Sequence, residues 1–193
     1  MPDILEPVEH GNYYHIYNHA IGNENLFVCN DNYLYFLTLL KKHLVPYSKI
    51  LSYNLMPNHF HLLLRFHDIG MPDGIAKNYN CSIQLSKLFN AYSQAYNKKY
   101  HRRGSLFIHK FRRKKVTNEF FLRNLILYIN NNSVHHGFSN KAHEWAHSSF
   151  ASITSSKPTL LDRDFVLSLF DDVENFVFCL NKDFELDNSY TFE

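Results

Sequence analysis

The sequence predicts an α+β fold with the element order β-α-β-β-α-β, followed by a further helix. Two observations support this prediction. Short segments rich in β-branched and aromatic residues recur along the chain, and the longer segments between them place apolar residues at helical spacing. With 193 residues, of which 45% are apolar, the chain is long enough to build one domain around its own core.

The first two elements are a strand and a helix. Residues 12–21 (NYYHIYNHAI) alternate in polarity and are rich in Tyr and Ile, which is typical of a strand. Residues 31–45 (DNYLYFLTLLKKHLV) have apolar residues at helical spacing, and Asn30 or Asp31 is available as the N-cap.

A β-hairpin is expected next. Residues 48–56 (SKILSYNLM) and 59–67 (HFHLLLRFH) both have the composition of strands, and Pro57-Asn58 between them suits a tight connection. Residues 68–80 (DIGMPDGIAKNYN) show neither the alternation of a strand nor the apolar spacing of a helix, and they are interpreted as a loop.

Residues 81–100 (CSIQLSKLFNAYSQAYNKKY) predict a long amphipathic helix. The chain reaches Gly104 shortly afterwards, and this glycine is a suitable C′ residue. The predicted apolar stripe comprises Ile83, Leu85, Leu88, Phe89, Tyr92 and Tyr96. Packing, rather than chemistry, is therefore expected of its two tyrosines.

A fourth strand is expected over residues 106–116, and Thr117 or Asn118 then caps a helix over 118–132. This order is the ferredoxin-like split βαβ plan, in which two helices cover one face of an antiparallel sheet and the other face is free. We expect a domain over residues 1–137.

Residues 138–193 contain the only tryptophan and a helix predicted around 162–181. They are interpreted as an extension packed on the same domain. No apolar run is long enough to cross a bilayer, and the first residues show no signal-peptide pattern. The three scattered cysteines favour reduced thiols, so a cytoplasmic location is expected.

A dense basic stretch runs from Lys98 to Lys115 (KKYHRRGSLFIHKFRRKK), with nine Lys or Arg among its 18 residues and no acid. A solvated basic face is the simpler explanation of a charge run. Phosphate contact is favoured here because clustered cations mixed with aromatic residues are typical of nucleic-acid-binding surfaces.

His59 and His61 lie one residue apart in the third predicted strand. Strand side chains alternate between faces, so both imidazoles point to the predicted open face, about 7 Å apart along the strand. Two neutral imidazoles at this spacing can bind one cation. Two hydrogen-bonded histidines on a sheet face are an equally good explanation of the pair alone.

The last predicted helix offers a partner for this pair. Tyr128 and Asn132 are four residues apart, so they share one helical face. Asn132 could supply an amide oxygen to the cation and Tyr128 could attack a phosphate bound there. Without the histidines, a polar helix edge and a frayed C-terminus would explain the same residues.

Taken together, four ordered segments resemble the REP-associated tyrosine transposases, which belong to the HUH-type single-tyrosine transposases. The segments are YYHIYNHA (13–20), LMPNHFHLLLR (55–65), SKLFNAYSQAYNKKYHRRGSLFIHKFRRKKV (86–116) and YINNNSVHHG (128–137), and EWAHSSF (144–150) is similar to the next segment of the family. The resemblance thus spans residues 13–150, most of the chain.

The resemblance implies a role for each matching position. His59 and His61 match the metal ligands, Tyr128 matches the nucleophilic tyrosine, and Asn132 matches a further metal ligand. Ser133 stands where the family usually has proline, which should alter the helix end slightly.

The implied activity is cleavage and strand transfer of single-stranded DNA at hairpins, through a 5′-phosphotyrosine intermediate. A divalent cation, Mg²⁺ or Mn²⁺, would be the cofactor. The protein would act as a monomer or a homodimer, and the short connection before the tyrosine helix favours a site completed within one chain. The residues expected to contact DNA are Arg102, Arg103, Lys110, Arg112, Arg113, Lys114 and Lys115, with Tyr14 or Tyr13 stacking on unpaired bases.

Two other functions remain open from the sequence. A non-catalytic hairpin-binding module derived from a transposase would use the same sheet. A metal-assisted hydrolase would use His59 and His61 to activate water, with Tyr128 as a bystander.

Overall fold

The computed structural model describes residues 7–68, 79–108 and 110–182. The predicted loop over 68–80 therefore lies almost entirely outside the described residues. Four strands alternate with the first helices as predicted: β1 Tyr13–His19, α1 Asn30–His43, β2 Ser48–Met56, β3 His59–Phe66, α2 Cys81–Lys99, β4 Arg112–Val116 and α3 Glu119–His135. A short 3₁₀ turn, Ala142–Glu144, and the helices α4 Phe150–Thr154, α5 Arg163–Ser168 and α6 Val173–Asn181 follow.

The strands form one antiparallel sheet in the order β2-β3-β1-β4. This is the predicted ferredoxin-like arrangement, and β2 with β3 forms the predicted hairpin. The face that carries Phe60, Leu62 and Leu64 is buried under α1 and α2, where Phe60 packs against Phe36 and Phe89.

The opposite face of the sheet is also covered, contrary to the prediction. Helix α3 lies across β2 and β3, and the C-terminal elements pack beside it. His59 and His61 are consequently 1% and 0% exposed. The sequence motifs placed Tyr128 and Asn132 of this helix beside the histidines, but they did not predict that the helix buries this face of β2 and β3.

Several element boundaries differ from their predictions. Helix α1 is capped at Cys29 rather than Asn30 or Asp31, because the Asn32 carboxamide reaches back to the backbone amides of Val28 and Cys29. Helix α3 continues to His135, since Ser133 keeps the amide hydrogen that a proline would lack.

Three further predictions in the basic stretch and on α2 were wrong. The C′ residue of α2 is His101, with a left-handed φ of 51°, and Gly104, which also has a positive φ of 88°, comes three residues later. Ile83 is 51% exposed, whereas the other five stripe residues are buried as predicted. Strand β4 is only five residues long, because Phe107 and Phe111 turn inward to pack on Phe89.

The helix predicted around 162–181 is two helices. Asp171 adopts a left-handed φ of 69°, which interrupts the chain between α5 and α6. The Asp172 carboxylate then accepts the backbone amide of Asn175 and starts the second helix. Among the described residues, no helix combines the length and apolarity needed to cross a bilayer.

Helix α3 is attached to the sheet by a buried polar network. The Asn130 amide donates to the Ser52 hydroxyl at 3.0 Å, and the Ser149 hydroxyl donates to the Asn130 carbonyl oxygen at 2.9 Å. The Asn54 amide donates to the Ile129 carbonyl at 2.8 Å. All of these side chains are buried, so the network fixes α3 in one position along β2.

Substitution of Asn130 by alanine should reduce the free energy of unfolding by about 2 to 4 kcal/mol, because buried hydroxyls would lose their partner. Urea denaturation measures this value. Asn124→Ala, a half-buried position on the same helix, is the matched control and should cost clearly less. Equal losses for the two variants would show that the network is not important for the attachment of α3.

Candidate active site

The register of the sheet places several histidine and tyrosine rings on the face that α3 covers. On β1, His15, Tyr17 and His19 share one face, because they alternate along the strand. Tyr17 pairs with His61 and His19 pairs with His59 across the antiparallel ladder. The result is a layer of stacked aromatic rings between the sheet and α3.

His59 is held from both sides of its ring. Its Nδ1 lies 2.7 Å from the Asn58 Oδ1 and its Nε2 lies 3.4 Å from the Asn132 Oδ1. Neutral imidazole has one N–H, and the shorter contact assigns it to Nδ1, since a carboxamide oxygen only accepts. The Nε2 of His59 thus presents a lone pair beside an amide oxygen.

Burial keeps this imidazole neutral. Desolvation, followed by the neighbouring imidazoles of His19 and His136, lowers the pKa of His59 to about 3, against an opposing contribution from Asn132. Burial also holds the pKa of His61 well below its usual range. Both rings can therefore act as neutral ligands at physiological pH.

His61 stands almost perpendicular to His59, with ring centroids 5.4 Å apart. Its Nδ1 lies 2.8 Å from the Nε2 of His15, and the ring of Tyr17 stacks on it at 5.7 Å. Burial and the charge of Lys114 lower the pKa of His15 to about 3.

Helix α3 brings the predicted nucleophile to the same place. The ring of Tyr128 meets the ring of His61 edge to face, with centroids 5.9 Å apart. Asn132 lies one helical turn further and reaches His59. The four predicted residues, His59, His61, Tyr128 and Asn132, are thus neighbours in one chain.

A divalent cation fits this set of side chains. The Asn132 carboxamide is fully buried, its Nδ2 has no hydrogen-bond partner, and its Oδ1 faces the lone pair of the His59 Nε2 at 3.4 Å, so a cation between these two acceptors would stabilise the arrangement. Within the described residues, no three His, Cys, Asp or Glu side chains are grouped as a metal site. The candidate ligands are therefore two imidazoles and one amide, a set that Mg²⁺ or Mn²⁺ can use.

A second set of rings in the site was not predicted from the sequence. His15, Tyr17 and His19 surround the predicted ligands from β1, and His136 packs on His59 with ring centroids 4.5 Å apart. The alternation in YYHIYNH was a usable signal, because antiparallel pairing of that strand with β3 places its histidines beside His59 and His61.

The predicted DNA-contacting residues divide between the two faces of β4. Arg112 pairs with Tyr17 and Lys114 with His15, so both lie on the α3 side of the sheet. Their neighbours Arg113 and Lys115 pair with Ile16 and Tyr14 on the other side. Lys115 forms an ion pair with Glu9 at 2.8 Å, and Arg113 lies over the ring of Phe111.

The other residues predicted to contact DNA, Arg102, Arg103 and Lys110, lie outside β4. The Arg102 guanidinium is 2.5 Å from the Glu24 carboxylate and donates to the Ser105 carbonyl. These contacts stabilise the loop that carries Arg102. Arg103 and Lys110 are exposed. Lys110 and Arg113 line a groove of about 690 Å³ between α2 and the segment that leads to β4.

Tyr14 cannot stack on a base in this structure. It is 0% exposed, and its hydroxyl donates to the Pro7 carbonyl and accepts the backbone amide of Glu9. Its place on the core side of β1 follows from the alternation that puts His15 on the other side. Tyr13 is half-buried and stacks on Phe165 with ring centroids 6.1 Å apart.

The chain was compared with known proteins. No protein-family model matches the sequence, and no curated protein is significantly similar to it. A solved structure described as a REP-associated tyrosine transposase bound to a REP hairpin superposes with a TM-score of 0.64. The match covers 84% of this chain and 94% of that chain, at 14% sequence identity.

The chain has the fold of a REP-associated tyrosine transposase. At this identity the likeness establishes the architecture, which agrees with the fold that the sequence motifs predicted. In this chain the fold places the β3 histidines under the helix that carries Tyr128.

The metal-free protein should become less stable as the pH falls below about 6.5. Unfolded His59 takes up a proton near its usual pKa of 6.5, whereas folded His59 resists protonation until about pH 3. In the window between these values, His59→Phe should weaken the pH dependence of the free energy of unfolding by about 1.4 kcal/mol per pH unit.

Urea denaturation at a series of pH values in the presence of a chelator measures this dependence. His143→Phe, at an exposed position, is the control and should retain the slope of the unmodified protein. Identical slopes for His59→Phe and the unmodified protein would contradict the assignment of a buried neutral imidazole.

Proposed function

We propose that the protein is a metal-dependent, single-tyrosine DNA strand transferase that cleaves single-stranded DNA beside hairpins. The observation that carries this proposal is the convergence, within one chain, of Tyr128 on His61 and of Asn132 on His59. A hydroxyl nucleophile next to a candidate cation site is the arrangement that phosphoryl transfer to a protein requires.

The proposed reaction exchanges one phosphate ester for another. The Tyr128 oxygen forms a bond to the phosphorus and the bond from phosphorus to the 3′ oxygen breaks. The phenol releases its proton, and the departing oxygen takes one up as a 3′-hydroxyl. Because the phosphodiester linkage is conserved as a 5′-phosphotyrosine, a 3′-hydroxyl can later reverse the step without another energy source.

The side chains of the site have separate tasks in this proposal. His59, His61 and Asn132 would hold Mg²⁺ or Mn²⁺, which when bound offsets the charge on the phosphate oxygens. Helix α3 orients Tyr128, since its attachment to β2 is buried and hydrogen-bonded. Arg112 and Lys114, on the same side of the sheet, would bind the backbone of the approaching strand.

A second candidate function is non-catalytic binding of hairpin DNA or RNA. The burial of the site favours it, because His61 is 0% exposed and a phosphate would have to reach a covered ring. Such a module would bind a hairpin with the same affinity in metal and in chelator, and would form no covalent product.

Incubation of labelled hairpin-bearing single-stranded DNA with the protein and Mn²⁺ or Mg²⁺ should yield a covalent protein–DNA adduct. Tyr128→Phe should abolish the adduct while hairpin binding is retained, because only the nucleophilic oxygen is removed. Denaturing electrophoresis detects the product, and Tyr35→Phe, at an exposed tyrosine on α1, should leave it intact.

The possible outcomes separate the candidates. An adduct that persists in Tyr128→Phe and disappears in Tyr17→Phe would assign the nucleophile to β1 and overturn the proposed role of Tyr128. Hairpin binding without any adduct would favour the non-catalytic module. Free 5′-phosphate ends without an adduct would indicate hydrolysis.

The basic side chains of β4 should contribute unequally to DNA affinity. Arg112→Ala should lower affinity for single-stranded DNA and reduce the slope of log K against log salt by about 0.7, the value for one phosphate contact. Lys115→Ala is the matched control, because that amine faces the other side and pairs with Glu9. Fluorescence anisotropy over a salt series measures both, and equal slopes for the two variants would contradict the assignment.

A further inference from the structure

A histidine that is not among the candidate ligands lies directly beside one of them. His15 on β1 is 0% exposed, as is His61, and the His15 Nε2 is 2.8 Å from the His61 Nδ1. The two rings are nearly parallel, with an interplanar angle of 18° and centroids 5.0 Å apart. This is a short hydrogen bond between two fully buried rings.

The hydrogen bond has two possible directions, and they have opposite consequences for His61. If the His15 Nε2 donates, the His61 Nδ1 accepts, and the single proton of neutral His61 is on Nε2. If the His61 Nδ1 donates, the lone pair of His61 is on Nε2. Only the second arrangement leaves the Nε2 of His61 able to bind a cation.

His15 has no other polar task that the described residues reveal. Its second nitrogen, Nδ1, is buried without a hydrogen-bond partner. Its ring otherwise stacks on Tyr17, with centroids 4.7 Å apart, a contact that phenylalanine could also make. A buried imidazole with one unsatisfied nitrogen costs stability relative to an apolar ring. The presence of an imidazole at this position therefore indicates that its hydrogen bond to His61 is functionally important.

We propose that His15 is a positioning residue for the cation site: its Nε2 accepts the Nδ1–H of His61 and thereby holds the ring orientation and the tautomer in which His61 can bind a divalent cation. This inference rests on the proposed function, because it assumes that His61 is a ligand. It adds a residue from another strand, and it explains why β1 carries an imidazole at a buried position.

Substitution tests the hydrogen bond separately from the ring. His15→Phe keeps a flat ring of similar size and removes the acceptor, so affinity for Mn²⁺ should fall about 10- to 100-fold. His15→Gln places an amide oxygen where the Nε2 was and should restore most of the affinity. His147→Phe makes the same exchange at a ring that stacks on Tyr33, away from the site, and is the matched control.

Titration with Mn²⁺ followed by electron paramagnetic resonance measures affinity directly and does not depend on DNA cleavage. Wild-type affinity in His15→Phe, or an equal loss in His15→Phe and His15→Gln, would overturn the role of His15 and leave the proposed function standing. Failure of the unmodified protein to bind Mn²⁺ would overturn the metal site itself, and this inference with it.

A second measurement needs no substitution and applies even if His15→Phe does not fold. Nitrogen-15 chemical shifts of the imidazoles report which ring nitrogen carries the proton. Saturation with diamagnetic Mg²⁺ should leave His61 protonated at Nδ1 and His15 unprotonated at Nε2. The reverse pattern, with the proton on the Nε2 of His15, would overturn the proposal.

Discussion

The attachment of α3 to the sheet is the constraint on which the rest of the site depends. Helix α3 carries Tyr128 and Asn132, and neither would be near the β3 histidines without the buried contacts that Asn130 makes to Ser52 and Ser149. These hydrogen bonds are made in a region without water, where a misplaced partner is costly. They therefore specify one position of the helix along β2, which apolar packing alone would specify less sharply.

The burial of His59 and His61 under α3 also determines the protonation state of their imidazoles. A histidine pair on an open sheet face would titrate near its usual pKa and would be protonated in part under mildly acidic conditions. Under α3, burial opposes the charged form, so the lone pairs of His59 and His61 are retained. The same burial that keeps these two imidazole nitrogens neutral makes the fold less stable toward low pH.

Much of this arrangement could be predicted from the sequence, because it follows from two local periods. Alternation places His59 and His61 on one face of β3, and a four-residue interval places Tyr128 and Asn132 on one face of α3. The strand boundaries of the hairpin were also close to their predictions, since β2 matches its prediction and β3 ends one residue earlier. Local periods do not depend on partners elsewhere in the chain.

The burial of the site and the length of β4, which the sequence did not predict, depend on distant partners. The burial of the histidines requires α3 to cross β2, and the burial of Tyr14 requires the register of β1 between two other strands. Strand β4 is shortened because Phe107 and Phe111 find partners on α2. The contact of His15 with His61 depends on the register of β1 against β3, although the strand that carries His15 was predicted.

The connection before α3 bears on whether the tyrosine can serve another subunit. β4 ends at Val116 and α3 begins at Glu119, and the Asn118 side chain between them accepts the backbone amide of Phe121 as the helix cap. Exchange of α3 between two subunits would need this two-residue connection to open. It would also break the Asn131 contact to the Leu180 carbonyl, which ties α3 to α6. Both ends of the helix are thus fastened within the chain, so in the proposed reaction Tyr128 would work with the histidines of its own sheet.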